Sequence, residues 1–523
     1  MSEPWDSAFG AAELARHAAE RPTGAAVRYL PSIEEFAPHT WHDFDEGVER
    51  MAGMIAGHAC FRPGMRVGWL GLNAPHMLAL LFACARLGLA LVPLNWRLSV
   101  DELRWIERDA DIRLLFSDWA PRPGESGAHP YAEDFAARHQ VDGAFVLIDA
   151  DCYIWALFGP FDRDRTRAAC APSPEAPLLV GYTSGTTGRP KGAVLTQAAF
   201  AANAANARAI FGLTAADRVL TVLPMFHVGG LNIQTVPALL AGAEVLLDSQ
   251  FHPHTFFTAC EIRRPTLSLL VPAVMQALVS HPLWADADLS FLRAVGAGSS
   301  EVPLHLIEAF HAKGVPVQQV YGATETGPIA IAQTREEALA APGSIGRPAP
   351  LCEARIQDPE GRPLPVGATG EIAVRGPNLM RGYLNQPEAS AAALRDGWFA
   401  TGDAGHVDAD GRYWFTDRLK HVIISGGENI YPAEVERVLR DAPGVQECAV
   451  CGRPDLRWGE VPVAVVVPGP GFGREAVLRH FEGRLARFKH PRDVVVAEAL
   501  PRTALGKVQL AALRALARGD PPP

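Results

Sequence analysis

Short apolar runs rich in β-branched residues alternate with longer Ala- and Leu-rich segments through most of this chain. Four segments have the composition of buried strands: Arg66–Leu70, Leu178–Tyr182, Val219–Leu223 and Val245–Leu247. Glu301–Lys313 has the composition of a helix. Strands that alternate with helices form parallel sheets whose faces the helices cover. The pattern therefore predicts an α/β fold with largely parallel sheets.

Two parts of the sequence depart from this alternation. Residues 118–177 are irregular and rich in Pro, Gly, Asp and His, which predicts a surface excursion or an inter-subdomain connection rather than part of the core. After Gly367, short strands and turns lead into a compact α+β module. Its expected elements are helices over Pro432–Arg440 and Glu475–Arg487 and strands over Val445–Val450 and Pro462–Val467.

Length and charge exclude several classes of protein. A chain of 523 residues exceeds the size of one hydrophobic core, so two or more domains are expected. The net charge of −10 argues against general binding to nucleic acid or anionic membranes. The most apolar segment, Met77–Leu94, contains Arg86 and Pro93, so it predicts a buried helix and strand, not an integral membrane span.

The cysteines and the first residues indicate a cytoplasmic protein. Eight scattered cysteines in a chain of this size are typical of reduced thiols. Residues 1–16 lack the basic and apolar pattern of a secretory signal. Cys448 and Cys451 are spaced as a CxxC pair, but no second pair completes a zinc site. We interpret both as core residues of a strand.

The segment Tyr182–Gly192 carries the strongest chemical signal. A buried strand leads into a loop with four hydroxyl side chains, three glycines and Lys191. Glycines let backbone N–H groups approach a phosphate chain, hydroxyls add donors, and lysine adds positive charge. The spacing is that of neither a Walker A motif nor a nucleophile elbow. The loop therefore predicts a phosphate-binding site of another type.

This segment resembles the phosphate-binding signature of the adenylate-forming superfamily, which includes acyl- and aryl-CoA synthetases. Further segments resemble its other motifs in the same order: Tyr321–Gly327, Thr401–Asp403, Asp417–Pro432 and Pro501–Lys507. The resemblance implies an α/β fold with a large N-terminal region of stacked α/β subdomains and a small β-subdomain. A mobile C-terminal α+β domain would follow. The expected domains are 1–418, for ATP and the acid, and 419–523, a lid with hinge and catalytic lysine.

By this resemblance, the N-terminal domain binds ATP and Mg²⁺. Lys191 and the loop would hold the β- and γ-phosphates, Thr324 would bond the α-phosphate, and Glu325 would bind Mg²⁺, which prefers oxygen ligands. The loop residues are Thr183, Ser184, Gly185, Thr186 and Thr187. Because ATP and the attacking carboxylate are both negative, such groups act by positioning and charge neutralisation.

The adenosine part of ATP has its own expected contacts. Tyr321 would stack against adenine, and Asp403 would accept both ribose hydroxyls with help from Arg418. The remaining expected contacts are Gly298, Ser299, Ser300 and Gly322.

The C-terminal motifs imply two half-reactions in one site. Lys507 would bridge the acyl carboxylate and the α-phosphate during adenylation. The C-terminal domain would then swing about Lys420, withdraw Lys507 and bring in Gly426 and Gly427, past which the pantetheine arm of coenzyme A extends.

The segment Leu223–Gly230 bears on the acid. It lacks the carboxylate that amino-acid-activating relatives place near this position, so the ammonium group of an amino acid would be left unpaired. A fatty, aryl or alicyclic acid is therefore favoured. His227 resembles the gate between the carboxylate pocket and the coenzyme A tunnel. The expected pocket residues lie at 227–232, 271–275, 295–297 and 322–323.

Three residues depart from the usual superfamily pattern. Gln197 replaces a common histidine, Ala323 a bulkier residue, and His421 an aspartate. None of these changes removes an expected phosphate or metal contact. We hypothesise that Ala323 widens the acid pocket.

The sequence therefore predicts an ATP-dependent, AMP-forming acyl-CoA synthetase. It would convert a small carboxylic acid to an acyl-adenylate and transfer the acyl group to coenzyme A. Alternatives within the superfamily are an enzyme that loads the phosphopantetheine of a carrier protein and, less favoured, a luciferase-like oxygenase. A non-catalytic nucleotide-binding relative is the alternative from another class. The oligomeric state stays open, with a homodimer as one option.

Overall fold

A computed structural model describes residues 8–30, 37–58, 61–117, 130–138, 145–147, 173–183, 190–299, 302–425, 428–455, 458–482, 484–485, 487–502 and 508–519. The chain divides into two compact units, residues 1–354 with 374–399 and residues 355–373 with 400–523. This division follows the packing of the chain. The functional boundary expected after residue 418 stays a prediction.

The strands are short and run through both units. In chain order they are β1 (Ala25–Leu30), β2 (His39–Thr40), β3 (Arg66–Leu70), β4 (Ala90–Leu94), β5 (Ile112–Ser117), β6 (Phe145–Leu147), β7 (Pro177–Thr183), β8 (Lys191–Thr196), β9 (Arg218–Thr221), β10 (Glu244–Asp248), β11 (Leu267–Leu270), β12 (Ala294–Gly298), β13 (Val317–Tyr321), β14 (Ile331–Ala332), β15 (Arg347–Pro348), β16 (Glu353–Gln357), β17 (Gly370–Arg375), β18 (Gly382–Tyr383), β19 (Leu394–Arg395), β20 (Trp398–Val407), β21 (Tyr413–Arg418), β22 (Ile423–Ser425), β23 (Glu428–Ile430), β24 (Val445–Asp455), β25 (Gly459–Pro468) and β26 (Asp493–Val496).

The α-helices longer than one turn are α1 (Ala11–Glu20), α2 (Trp41–Gly57), α3 (Pro75–Leu87), α4 (Val100–Ala110), α5 (Pro130–Arg138), α6 (Gln197–Phe211), α7 (Val236–Ala241), α8 (Pro253–Arg263), α9 (Pro272–Val279), α10 (Leu304–Ala312), α11 (Arg335–Ala340), α12 (Pro387–Ala393), α13 (Pro432–Arg440), α14 (Arg474–His480) and α15 (Leu510–Arg518). Among these described helices, none is long and apolar enough to cross a membrane.

Two sheets form the framework of the first unit. The nine-stranded sheet has the order β15-β14-β13-β12-β11-β9-β10-β1-β2 and is parallel from β13 to β1. The seven-stranded sheet has the order β18-β8-β7-β4-β3-β5-β6 and is parallel from β7 to β6. Antiparallel strands lie at the edges of both sheets. The predicted α/β architecture with largely parallel sheets is confirmed.

The apolar segment Met77–Leu94 forms the predicted buried helix and strand. Helix α3 starts with Pro75, whose missing N–H is tolerated in a first turn. It ends before Gly88, which has a left-handed φ of 63° that suits glycine, and the chain then enters β4. Nearly every side chain of α3 is buried. The helix therefore lies inside the first unit.

Gln197 joins three segments of the first unit. It is fully buried at the start of α6. Its Nε2 atom donates to the carbonyl of Ala85 at 2.9 Å, and its Oε1 atom accepts from the N–H of Phe9 at 2.8 Å. Both halves of the amide are therefore satisfied inside the protein.

The interpretation of residues 118–177 as a surface excursion is wrong for two described parts. Helix α5 buries Tyr131 and Phe135 completely, and the Tyr131 hydroxyl donates to Glu107 at 2.9 Å. Strand β6 extends the sheet beside β5. The Pro- and His-rich composition hid these elements because Pro130 begins the helix, where proline is tolerated.

Several predicted boundaries also need correction, among them those of β24, which ends at Asp455 rather than Val450, and β25, which begins at Gly459 rather than Pro462. Strand β9 ends at Thr221 rather than Leu223, shortly before Pro224, which has no N–H to donate. Helix α10 begins at Leu304 because Pro303 precedes it as the cap. Helix α14 ends at His480, seven residues short of the expected Arg487.

The second unit contains two smaller sheets. In one, β17 lies between β16 and β20, and β21 pairs with β20. The other has the order β23-β22-β25-β24, with β26 parallel to β25. Alternate residues of β24 and β25 pack into separate clusters, Val450 and Val466 in one and Cys451 and Val465 in the other. The predicted α+β module is confirmed.

Cys448 and Cys451 lie on β24 as free thiols. Burial raises the pKa of Cys448 to about 12 and that of Cys451 to about 11. Within the part of the chain that the structure describes, no cluster of three or more His, Cys, Asp or Glu side chains could hold a metal. The interpretation of both cysteines as strand residues is confirmed.

Candidate active site

The two ends of the predicted phosphate loop are held together by a strand pair. Strand β7 ends at Thr183, β8 begins at Lys191, and these two residues face each other across the antiparallel pair. The Thr183 hydroxyl donates to the Lys191 carbonyl at 3.4 Å. The loop residues Ser184, Gly185, Thr186 and Thr187 lie outside the described residues.

The turn Thr324–Thr326 approaches this strand pair. A Cβ atom on Gly181 would lie 2.6 Å from Cγ2 of Thr324, so glycine is needed for the approach. Thr324 therefore lies beside the strand that leads into the phosphate loop. The structure brings together two motifs that are far apart in the sequence.

The shape of the turn depends on Gly322, the residue after β13. A Cβ atom there would lie 1.8 Å from the carbonyl oxygen of Pro328, so no other residue fits. The Thr326 hydroxyl accepts from the N–H of Ala323 at 2.9 Å and donates to the same residue's carbonyl at 3.0 Å. Glu325 is thereby buried, with 8% of its surface exposed.

Tyr383 connects Glu325 to Lys191. Its hydroxyl donates to Oε1 of Glu325 at 2.9 Å, and the Lys191 ammonium lies 5.1 Å from the centre of its ring. Burial, and then the Glu325 carboxylate, raise the pKa of the Tyr383 hydroxyl, so it remains a donor. Tyr383 lies outside the motifs, so the sequence alone did not indicate it. It reaches the site only because β18 pairs with β8.

Buried asparagines hold the chain after this turn. Asn378 Nδ2 donates to the carbonyl of Ile329 at 2.9 Å, and Asn203 Oδ1 accepts from the Ile329 N–H at 3.0 Å. Asn232 Nδ2 donates to the carbonyl of Gly327 at 2.7 Å. Since buried backbone groups need partners, these amides fix the loop. Sequence reasoning missed Asn203 and Asn378 because asparagines outside a motif are usually surface residues.

The residues expected at adenine lie at the ends of neighbouring parallel strands. Gly298 ends β12, Tyr321 ends β13, and Gly298 faces Val320 in the pairing. A Cβ atom on Gly298 would lie 2.4 Å from the Val320 carbonyl oxygen. Ser299 is exposed with a left-handed φ of 71°. Ligands of α/β sheets bind outside such strand ends. Ser300 lies outside the described residues.

The residues expected at ribose lie in the second unit. Asp403 on β20 faces Arg418 on β21, and its Oδ1 atom lies 2.8 Å from the guanidinium Nε. The Asp403 N–H also donates to the Thr401 hydroxyl at 3.1 Å. Lys420 lies in a 3-10 turn directly after β21. Gly426, Gly427 and Lys507 lie outside the described residues.

The segment expected to bind the acid substrate, Leu223–Gly230, follows shortly after β9. His227 is partly buried, its ring lies 4.5 Å from that of Phe226, and it precedes a helical turn over Val228–Gly230 and a π-helical turn over Leu231–Thr235. Asn73 supports the approach to this segment, since its side chain donates to the carbonyl of Leu223 at 3.0 Å. As the sequence indicates, the segment contains no acidic residue.

Comparison with family models identifies the class of protein. Residues 14–384 match the AMP-binding enzyme family, and residues 434–507 match the AMP-binding enzyme C-terminal domain. The chain belongs to the AMP-binding enzyme family. The predicted class is confirmed: it is an ATP-dependent acid–thiol ligase that uses Mg²⁺ and coenzyme A and acts on a small-molecule acid.

Individual relatives extend over almost the whole chain. Indoleacetate–CoA ligase of Aromatoleum aromaticum is 47% identical over 94% of this chain and 95% of its own. Feruloyl-CoA synthase of an Amycolatopsis species is 40% identical over 94% and 96%. The solved o-succinylbenzoate CoA synthetase of Bacillus subtilis, in complex with its acyl-adenylate, has a TM-score of 0.82 at 29% identity and covers 96% of this chain and 97% of its own.

Proposed function

We propose that the acid substrate of this ligase is an aryl acid, with the ring on a short side chain that ends in the carboxylate. The observation that carries the proposal is the 47% identity to an enzyme named indoleacetate–CoA ligase. The 40% identity to a feruloyl-CoA synthase points to the same class of acid. The absence of acidic residues from Leu223–Gly230 agrees with an acid that carries no ammonium group.

The first half-reaction needs charge neutralisation. A carboxylate oxygen attacks the α-phosphorus of ATP, a bond to the acid forms, and pyrophosphate leaves. We assign the β- and γ-phosphates to Lys191 and the loop, and the α-phosphate to Thr324. The contact between Thr324 and Gly181 supports this assignment, because it brings the hydroxyl-bearing side chain to the strand that enters the phosphate loop.

Glu325 suits a magnesium ion. Mg²⁺ is usually bound through one or two carboxylates together with substrate phosphates, whose charge it neutralises. Among the described residues, Tyr383 is the one hydrogen-bond partner of the Glu325 side chain. A carboxylate that is oriented through one oxygen keeps the other for a ligand. The site thus needs no cluster of protein ligands.

The second half-reaction transfers the acyl group. The thiol of coenzyme A attacks the acyl carbon, and AMP leaves as the bond to its phosphate breaks. We propose His227 as the gate for the thiol, Asp403 as the ribose ligand, Lys507 as the catalytic lysine of adenylation and Lys420 as the hinge. The remaining proposed ligands, by motif resemblance, are Gly298, Ser299, Ser300, Tyr321, Gly322, Arg418, Gly426 and Gly427.

A cytoplasmic location is part of the proposal. The cysteines that the structure describes, Cys84, Cys260, Cys352, Cys448 and Cys451, are all free thiols. Free thiols of this number suit a reducing compartment. The homodimer stays a prediction that gel filtration with light scattering would test.

Pyrophosphate exchange and thioester formation, measured over a panel of acids, test the substrate class. The panel contains arylacetates, hydroxycinnamates, straight-chain fatty acids and alicyclic acids. We expect kcat/KM for the best aryl acid to exceed that for any fatty acid by about 10-fold or more. If the pocket fits an aromatic ring, as proposed, a flexible alkyl chain fills it poorly. Lys507→Ala should lose exchange, whereas the matched variant Lys489→Ala should retain it.

Other outcomes have definite meanings. A fatty or alicyclic acid as the best substrate would refute the aryl assignment. Exchange with aryl acids but no thioester with free coenzyme A would favour a carrier-protein acceptor. Exchange that survives Lys507→Ala would remove the lysine from the proposed mechanism.

A further inference from the structure

A small cavity lies at the end of β9, next to the segment expected to bind the acid. It is bordered by Thr221 and Leu223, by Leu269 of β11, and by Gly230, Gln234 and Thr235. Gly230 and Thr235 belong to the two turns that follow His227. The second of these is a π-helical turn, a geometry that is frequent at functional sites. The cavity therefore adjoins the acid segment.

Gln234 is the unusual residue of this cavity. It is 1% exposed, yet neither its Nε2 nor its Oε1 atom has a hydrogen-bond partner within the described ranges. Gly296 leaves room for it, since a Cβ atom there would lie 3.2 Å from Nε2. A buried amide without partners is costly, so it needs a bound group to satisfy it.

The same unit satisfies its other buried glutamines. Each of them donates or accepts at least one hydrogen bond of 3.1 Å or shorter inside the protein. They are Gln197, Gln318, Gln319 and Gln333. Gln234 differs from all four because neither atom of its amide is paired and the residue borders the cavity. An unpaired glutamine is thus not a general feature of this interior.

The other polar groups at the cavity already have partners. The Thr235 hydroxyl donates to the Gly230 carbonyl at 2.8 Å, so the Thr221 hydroxyl must be the donor in its 2.8 Å bond to Thr235. No residue that borders the cavity is ionisable. The Gln234 amide therefore remains as the polar group for a ligand, and that ligand group must be uncharged because no opposite charge would offset its burial.

We propose that Gln234 is a specificity-determining residue that binds an uncharged hydrogen-bonding group on the acid, a ring N–H or a hydroxyl, away from the carboxylate. Oε1 accepts from the N–H or O–H of the substrate, and Nε2 can donate to a hydroxyl oxygen. Acids with a second carboxylate are excluded. This inference rests on the proposed aryl-acid function and specifies which aryl acids the site selects.

Matched pairs of acids test this assignment. Indole-3-acetate is compared with benzothiophene-3-acetate, which lacks the N–H, and 4-hydroxyphenylacetate with phenylacetate. In the wild-type enzyme, at least one hydrogen-bonding acid should exceed its partner in kcat/KM by about 10- to 100-fold. Gln234→Met keeps the length of the side chain but removes the amide, so the ratio should fall towards one as the rate with the non-bonding acid rises.

A buried glutamine elsewhere provides the control. Gln318→Met removes an amide whose Nε2 atom donates to two carbonyls, so it should lower the melting temperature and leave the substrate ratio unchanged. Gln234→Met should not lower the melting temperature of the free enzyme, because the lost amide has no partner there. A lowered melting temperature would mean that an internal water satisfies Gln234, and would overturn the proposal.

The two levels of inference fail in different ways. If the wild-type enzyme forms no thioester with any aryl acid, the proposed function fails. If it does so but Gln234→Met leaves the ratios of both pairs unchanged, the assignment of Gln234 alone fails.

Discussion

The proposed nucleotide side and the proposed acid side of the first unit differ in how far the protein pairs their buried polar groups. Near Glu325, the Tyr383 hydroxyl and both halves of the Asn378 amide have partners inside the protein. On the proposed acid side, Gln234 has no partner for either amide atom. Oδ2 of Asp248, whose carbonyl accepts from the same Asn73 amide as that of Leu223, has none either, as far as the structure describes the chain. Around the Glu325 turn, most side-chain polar atoms are thus paired by the protein, with Oδ1 of Asn232 as an exception, whereas neither amide atom of Gln234 is paired.

This difference separates two tasks. A polar network that is fully paired has one arrangement, which suits a site that must orient the same phosphates in every turnover. An unpaired amide gains its hydrogen bonds only when a complementary group binds, so it discriminates between ligands. The free-energy cost of leaving the Gln234 amide unpaired is thus linked to selectivity for the acid substrate.

Among the variants considered, Glu325→Gln should have the largest effect on the proposed nucleotide site. It keeps an oxygen for the Tyr383 hydroxyl but removes the negative charge proposed to bind Mg²⁺. We expect the rate of pyrophosphate exchange to fall about 1,000-fold, with a higher Mg²⁺ requirement. Glu337→Gln, which changes an ion pair with Arg347 on the surface, is the control. A wild-type rate at ordinary Mg²⁺ would contradict the role of Glu325.

Asp248→Asn tests the unpaired atom at the end of β10. Burial raises the pKa of Asp248 to about 7. Because this pKa lies above that of the unfolded chain, the native state holds the proton more tightly, and stability falls as pH rises from about 4 to about 7. The variant should be the more stable protein at pH 8, by up to about 4 kcal/mol, with little difference near pH 4.

Thermal unfolding at both pH values measures this effect. Asp286→Asn, on the exposed surface, provides the control and should show no such dependence. Equal stabilisation by Asp248→Asn at both pH values would show that the carboxyl does not titrate in this range.

Asn378→Ala tests the paired network. It leaves the carbonyls of Thr326 and Ile329 without their donor, so the free energy of unfolding should fall by about 2–3 kcal/mol. The KM for ATP should rise, because the turn that carries Glu325 is less fixed. Asn95→Ala, at a partly exposed residue whose side chain accepts from the N–H of Arg97, should lower the free energy of unfolding by less than about 1 kcal/mol. Loss of stability with an unchanged KM would limit Asn378 to a structural role.

Tyr383→Phe has the smallest expected effect. The ring stays beside the Lys191 ammonium, and only the hydrogen bond to Glu325 is lost. We expect exchange to slow about 10-fold. Tyr383→Leu, which also removes the ring, should be slower than Tyr383→Phe. If the two variants behave alike, the contact between ring and ammonium contributes nothing.

Local composition was sufficient to predict some elements. Arg66–Leu70 and Pro432–Arg440 form a strand and a helix over the predicted residues. Of the expected site residues, Lys191 begins β8, Glu325 lies in the turn after β13, and Asp403 lies within β20; their roles stay predictions. The strand and the helix could be predicted because each is defined by near neighbours in sequence.

The supporting residues could not be predicted in the same way. Tyr383 depends on the pairing of β18 with β8, Asn378 on carbonyls more than forty residues away, and Gln234 on a cavity. Each looks ordinary in the sequence, because tertiary contacts alone create its role. The roles of all the expected site residues stay predictions. Several of these residues also lie outside the described ranges: Ser184, Gly185, Thr186, Thr187, Ser300, Gly426, Gly427 and Lys507.

The two hydrogen bonds of the buried Gln197 amide bear on how the protein responds to low pH. Its amide accepts from Phe9 and donates to Ala85, and an amide does not change these roles with pH. The histidine that is common at this position could do the same only while neutral. Once protonated it would have two donors, and one would meet the N–H of Phe9. Because glutamine does not titrate, a fall in pH leaves both hydrogen bonds of Gln197 in place.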